Sequence, residues 1–156
     1  MSLAPDVVGA EKSREYKELV RRFAAPMPGA LELLTSLRHK KDLAVATSSY
    51  ADSAYAVLGA LGITEWFSCI ATKESVERLK PHPHLFLHVA AKLGMTAERC
   101  LVFEDSEKGV VAAHAAGMKC IAVPNQHTAN HDFSKAALVL PSLEAVSLAM
   151  VERMSD

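Results

Sequence analysis

Apolar residues along this chain recur in two rhythms, one of helices and one of short buried strands. Tyr16, Leu19, Val20 and Phe23 fall at helical spacing in the charge-rich stretch Glu11–Ala24, which predicts an amphipathic helix. Pro26-Met27-Pro28-Gly29 stops it. A second helix follows over Ala30–His39, with Leu31, Leu34 and Leu37 as its apolar stripe. Leu43–Ala46 is a short continuous apolar run broken by Thr47-Ser48-Ser49, the pattern of a buried parallel strand ending in a polar loop. Further helices are predicted at Ala51–Leu61, His84–Leu93 and Glu107–Ala116, closed in turn by Gly62, Gly94 and Gly117. Between them lie strands at Phe67–Thr72, Cys100–Phe103 and Lys119–Val123, and a polar loop at Lys73–Pro83. Ala137–Leu140 is a fifth strand, and Ser142 is placed to cap a last helix reaching Met154.

This alternation predicts an α/β fold: a three-layer, Rossmann-like parallel sheet with helices on both faces. Such sheets bind polar ligands beyond the carboxyl ends of their strands. Two strands here end in polar groups, Thr47-Ser48-Ser49 and Glu104-Asp105-Ser106.

The length of 156 residues fits one domain, and half of the residues are hydrophobic. A formal net charge of −1 gives no reason to expect nucleic acid as a partner. No apolar run is long enough to cross a membrane, and the first residues lack the pattern of a secretory signal. Three scattered cysteines, Cys69, Cys100 and Cys120, imply no disulfide framework, so a cytoplasmic location is expected.

Three features carry candidate chemistry. The Thr47 hydroxyl and the backbone amides of the following turn suit an anionic oxygen. Lys80, between Leu79 and Pro81, can be a fixed point charge for a phosphate. Glu104 and Asp105 are hard oxygen donors of the kind that hold Mg²⁺. Each has a plainer reading. Thr47 and Ser49 could cap the helix from Ala51, Lys80 could be a solvated loop lysine, and Glu104-Asp105 could cap the helix from Glu107. Their joint occurrence on a parallel α/β pattern favours the chemical reading. His84 and His88 are spaced as a helical metal pair, but no acidic residue lies between them, and they read as surface histidines.

The stretch Leu101–Met118 resembles the fourth motif of the haloacid dehalogenase (HAD)-type phosphohydrolases. Lys80-Pro81-His82-Pro83 resembles the third motif, and Ala44–Ser49 the second. The resemblance covers roughly Pro26 to Asn125 and points to the branch of phosphoglycolate phosphatase and β-phosphoglucomutase. It implies a Mg²⁺-dependent phosphatase acting on a small phosphorylated metabolite through an aspartyl-phosphate. Thr47 and the Ser48 amide would hold the phosphoryl group, and Lys80 would neutralise charge. Asp105 would bind Mg²⁺, with Glu104 as ligand or support, and Gly109 would let the following helix pack closely.

The same resemblance calls for a nucleophilic Asp-x-Asp pair at the end of a first strand. The six aspartates of this chain, Asp6, Asp42, Asp52, Asp105, Asp132 and Asp156, include no such pair. Residues 1–25 accordingly read as a remnant of a helical cap, and residues 26–156 as a HAD-like core lacking its first strand. The chain alone is expected to be inactive. Alternatives are a non-catalytic phosphate-binding or interaction module, or one half of a two-chain enzyme. The family's first strand would lie between the strands preceding Thr47 and Glu104. Those strands could instead pair directly, Leu3–Gly9 could fill the place, or the unpaired edges could drive self-association.

Overall fold

The computed structural model describes residues 14–155 other than 17 and 21. Elements are labelled here from residue 30 onward. They run α1 (Ala30–Leu37), β1 (Ala44–Ala46), α2 (Ala51–Ala60), β2 (Cys69–Ala71), α3 (His84–Leu93), β3 (Leu101–Glu104), α4 (Glu107–Ala115), β4 (Lys119–Ala122), β5 (Leu138–Val139) and α5 (Leu148–Ser155). Every strand pairing among them is parallel, as the alternation of helix and strand requires.

The strands form two separate sheets. β1 pairs with β2 in the register Ala44↔Cys69 to Ala46↔Ala71. β3 pairs with β4 from Leu101↔Lys119 to Glu104↔Ala122, and β4 pairs with β5. Direct pairing of the strands that precede Thr47 and Glu104 is therefore ruled out among the described residues. The proposed role of Leu3–Gly9 lies outside them.

Side chains of β3 divide by the strand's period of two. Leu101 and Phe103 pack on one side with Leu33 and Leu37 of α1 and Val151 of α5. Val102 packs on the other with Phe86 and Ala90 of α3 and Val110 and Ala113 of α4. Helices thus cover both faces, the three-layer arrangement. Leu85, Ile121 and Val110 are fully buried, each stabilising by roughly 1.5–3 kcal/mol through apolar burial.

Some boundaries and faces differ from the sequence reading. The buried stripe of α1 is Leu33 and Leu37, with Leu34 beside it, rather than Leu31-Leu34-Leu37. Residues 14–16, 18–20 and 22–23 are helical, yet of their apolar stripe only Val20 is buried, and Tyr16, Leu19 and Phe23 are exposed. Ser142 caps a separate turn, Leu143–Ala145, and α5 starts only at Leu148. That turn lies against Gly29 at the start of α1. Gly29 has φ +80°, and a Cβ there would meet the backbone of Leu143 and Glu144, so glycine is needed on both counts. Trp66 stacks beneath the Arg38 guanidinium, 4.7 Å from ring centroid to the carbon, at the far end of α1. No described helix is long and apolar enough to cross a membrane.

Candidate active site

The residues singled out in the sequence come together at the carboxyl ends of β1 and β3. Thr47, Ser48, Lys80, Glu104 and Asp105 line one cavity of about 450 Å³, with Met27 and Leu143 at its edge.

The Thr47 loop is held from outside. The Thr47 amide donates to the Ala71 carbonyl at 2.9 Å, and the Lys73 amide donates to the Ser49 carbonyl at 2.9 Å, so β2 and its following turn fix the loop. The Thr47 hydroxyl accepts from the Ser49 amide at 3.1 Å and does not cap α2. That helix is capped instead by Glu74, whose two carboxylate oxygens accept the Ala51 amide at 3.2 and 3.1 Å. The Thr72 hydroxyl donates to Glu74 at 2.8 Å. These hydrogen bonds, Thr72's first and Ala51's second, hold the Glu74 carboxyl below the usual carboxylate range. The clamp therefore persists as pH falls through the ordinary carboxylate pKa and releases only in stronger acid.

Lys80 lies in the polar loop, and its peptide bond to Pro81 is cis. It is not a solvated loop lysine. Its side chain is 12% exposed, lies over the Phe86 ring at 4.8 Å, and pairs with the Glu104 carboxylate, itself 7% exposed. Glu104 also accepts from the Ser106 hydroxyl at 3.1 Å. Ser106 in turn accepts the Gly109 amide at 3.2 Å and is the cap of α4, so Glu104 and Asp105 are not needed for that purpose. Gly109 leaves the space that the Glu104 carboxylate occupies: a Cβ at residue 109 would collide with it. The glycine thus accommodates a side chain of the site, a more specific use than close helix packing.

Asp105 projects from the same strand end. Asn125, just beyond β4, donates from Nδ2 to Asp105 Oδ2 at 2.9 Å. Asn125 is itself anchored, because its Oδ1 accepts the His127 amide at 2.8 Å and its own amide donates to the Thr128 hydroxyl at 3.0 Å. Ser106 and Asn125 are the site residues that the sequence reading missed. Ser106 was legible as a helix cap three residues before Gly109, whereas Asn125 lies 20 residues from Asp105 with no local signal joining them.

These donors suit Mg²⁺ in one respect. Asp105 offers hard oxygen at the cavity, while Glu104 is already engaged by Lys80 and Ser106. No group of three metal-ligating side chains occurs among the described residues, His84 and His88 included. A partial protein shell fits an ion that keeps several waters and takes its other ligands from phosphate. When bound, the ion would neutralise charge on a phosphoryl oxygen.

Behind the site, Cys120 on β4 is buried, and burial first, then the nearby Glu104 charge, pushes its thiol up to about 12. Iodoacetamide at pH 8 is expected to spare Cys120 in the folded protein while it alkylates the partly exposed Cys69 and Cys100. Peptide mass spectrometry against a urea-unfolded control checks this, and equal labelling of all three would contradict the packing described.

The haloacid dehalogenase-like hydrolase profile matches residues 6–123 of the chain. The chain belongs to that family. It is 31% identical over 121 residues to the fructose-1-phosphate phosphatase of Escherichia coli, covering 78% of this chain and 64% of that protein. Over 143 residues it is 38% identical to a probable pseudouridine-5'-phosphatase of Drosophila melanogaster, covering 86% and 61%. Among solved structures, CbbY from Rhodobacter sphaeroides in complex with phosphate superposes with a TM-score of 0.86 at 29% identity, covering 97% of this chain and 71% of that one. The chain thus spans under two thirds of both curated relatives, and its three resembling motifs all fall within the described residues.

Proposed function

We propose that this chain is the greater part of a Mg²⁺-dependent phosphatase core acting on a small phosphorylated metabolite. The observation that carries the reading is the convergence of Thr47, Lys80 and Asp105 on one cavity at the strand ends. Thr47 and the Ser48 amide would bind phosphoryl oxygens. Lys80, partly buried and held by Glu104, would supply a fixed positive charge without reorganising. Asp105, oriented by Asn125, would hold Mg²⁺. The phosphatases among its relatives support the class of reaction.

Hydrolysis through this site needs a nucleophilic carboxylate. Its oxygen would attack phosphorus, the substrate oxygen would leave with a proton from a second carboxylic acid, and water would cleave the acyl phosphate. No aspartate pair of this chain has the spacing for those two roles. The chain by itself should therefore bind Mg²⁺ and inorganic phosphate without turnover. Titration calorimetry with Mg²⁺ and phosphate, beside an assay with p-nitrophenyl phosphate, tests this. Binding is expected in the parent and lost in Asp105→Ala. No phosphate binding in the presence of Mg²⁺ would sink the reading, and turnover abolished by Asp105→Ala would show that the chain has its own nucleophile.

A further inference from the structure

The two carboxylates at the end of β3 have partners of different kinds. Glu104 is paired with the Lys80 ammonium, so its charge is balanced within the protein. Asp105 has a neutral partner, the Asn125 side-chain amide, whose Nδ2 donates to Oδ2 at 2.9 Å. Among the described residues the Asp105 carboxylate accepts no other hydrogen bond, which leaves Oδ1 without a donor. The Asn125 amide is held in this orientation. Its Oδ1 accepts the His127 amide at 2.8 Å, and that contact turns the NH₂ group rather than the carbonyl toward Asp105. The loop is tied down further along. The His131 Nδ1 accepts the Glu107 amide at 3.3 Å, and the Glu107 carboxylate accepts the Asp132 amide at 3.3 Å. A donor held in this way occupies one oxygen of Asp105 without cancelling its charge, as a lysine would.

We propose that Asn125 sets the metal preference of the site: by holding Oδ2 it lets Asp105 offer a single oxygen, which favours Mg²⁺ over Ca²⁺. The inference rests on the reading of Asp105 as a Mg²⁺ ligand. Mg²⁺ is small, demands near-octahedral geometry and keeps several of its waters, so one oxygen from a carboxylate suffices. Ca²⁺ is larger, takes about six to eight oxygens in flexible geometry, and can use both oxygens of one carboxylate. For Asp105 to bind an ion through both oxygens, the bond from Asn125 must break, and a half-buried amide loses its acceptor. Binding through Oδ1 alone needs no such rearrangement. Glu104 supplies no substitute, because Lys80 and Ser106 already engage its carboxylate. The strand end is thus poor in free protein oxygens, which penalises the ion that needs more of them.

Titrations of the full chain with MgCl₂ and with CaCl₂, followed by NMR at the Asp105 and Ser106 amides, test this in the parent and three variants. Asn125→Ala removes the donor. Asn125→Asp removes the donor but keeps an oxygen for the His127 amide, so the loop retains that anchor and the test has a second variant where Asn125→Ala does not fold. His131→Ala loosens the same loop at its contact with Glu107 and leaves the bond from Asn125 to Asp105 in place. The ratio of Mg²⁺ to Ca²⁺ affinity is expected to fall about tenfold in both Asn125 variants, in the range by which lost outer partners change a metal site. His131→Ala is expected to melt roughly 2–4 °C lower, with the parent's ratio. An unchanged ratio in either folded Asn125 variant overturns the proposal. So does an equal fall in His131→Ala, which would assign the preference to the order of the loop. If neither ion shifts the Asp105 amide of the parent, the Mg²⁺ reading of Asp105 fails, and the inference fails with it. Binding of both ions with an unaltered ratio leaves that reading standing and removes the inference alone.

Discussion

Lys80→Met should lower the melting temperature by about 8–15 °C and remove phosphate binding. The substitution keeps the aliphatic bulk over Phe86 but leaves the Glu104 carboxylate 7% exposed and without its cation. Breaking one side of a buried pair typically costs about 3–5 kcal/mol, because the remaining charge is desolvated and uncompensated. For a chain of this size each kcal/mol moves the midpoint by roughly 2–4 °C. The double variant Lys80→Met/Glu104→Gln removes both charges and should recover most of the lost stability, yet bind no phosphate. Thermal unfolding of the parent, both single variants and the double variant measures this coupling. If Lys80→Met alone is no less stable than the double variant, the pair is not the buried unit described.

Gly29→Ala should cost about 3 kcal/mol of stability. The left-handed backbone at φ +80° penalises any side chain, and the new methyl meets backbone atoms of Leu143 and Glu144, which cannot rotate away. Strain and overpacking each contribute about 1–3 kcal/mol at such positions. Gly62→Ala is the matched control, since Gly62 also has positive φ, +68°, but open space around its Cβ. Urea denaturation should show Gly29→Ala as clearly the more damaging of the two. Equal losses would mean that the turn at Leu143–Ala145 yields and that contact with it contributes nothing.

Much of this fold was legible because its signals are local. Apolar runs such as Leu43–Ala46, and glycines closing helices at Gly94 and Gly117, depend on neighbours within a few residues. The Thr47 and Asp105 positions were legible because strand-end placement brings such residues together in a sheet of this type, and Lys80 because it precedes the Pro81-His82-Pro83 turn. Contacts between distant segments were not. Glu74 capping α2 from 23 residues away, Asn125 holding Asp105, and the turn of Leu143–Ala145 under Gly29 leave no trace in periodicity. The stripe of α1 was misjudged for a similar reason: four leucines allow two faces, and only the packing of α5 and β3 selects Leu33 and Leu37.

A second cavity, lined by Leu33, Phe86, Leu101 and Phe103, shares Ala46, Phe103 and Glu104 with the site. The Glu104 carboxylate is held by Lys80 and Ser106. An occupant of the second cavity and a ligand at the strand ends would therefore bias the same few atoms. Linkage makes such an influence mutual: by the factor that one occupant tightens the other, the second tightens the first.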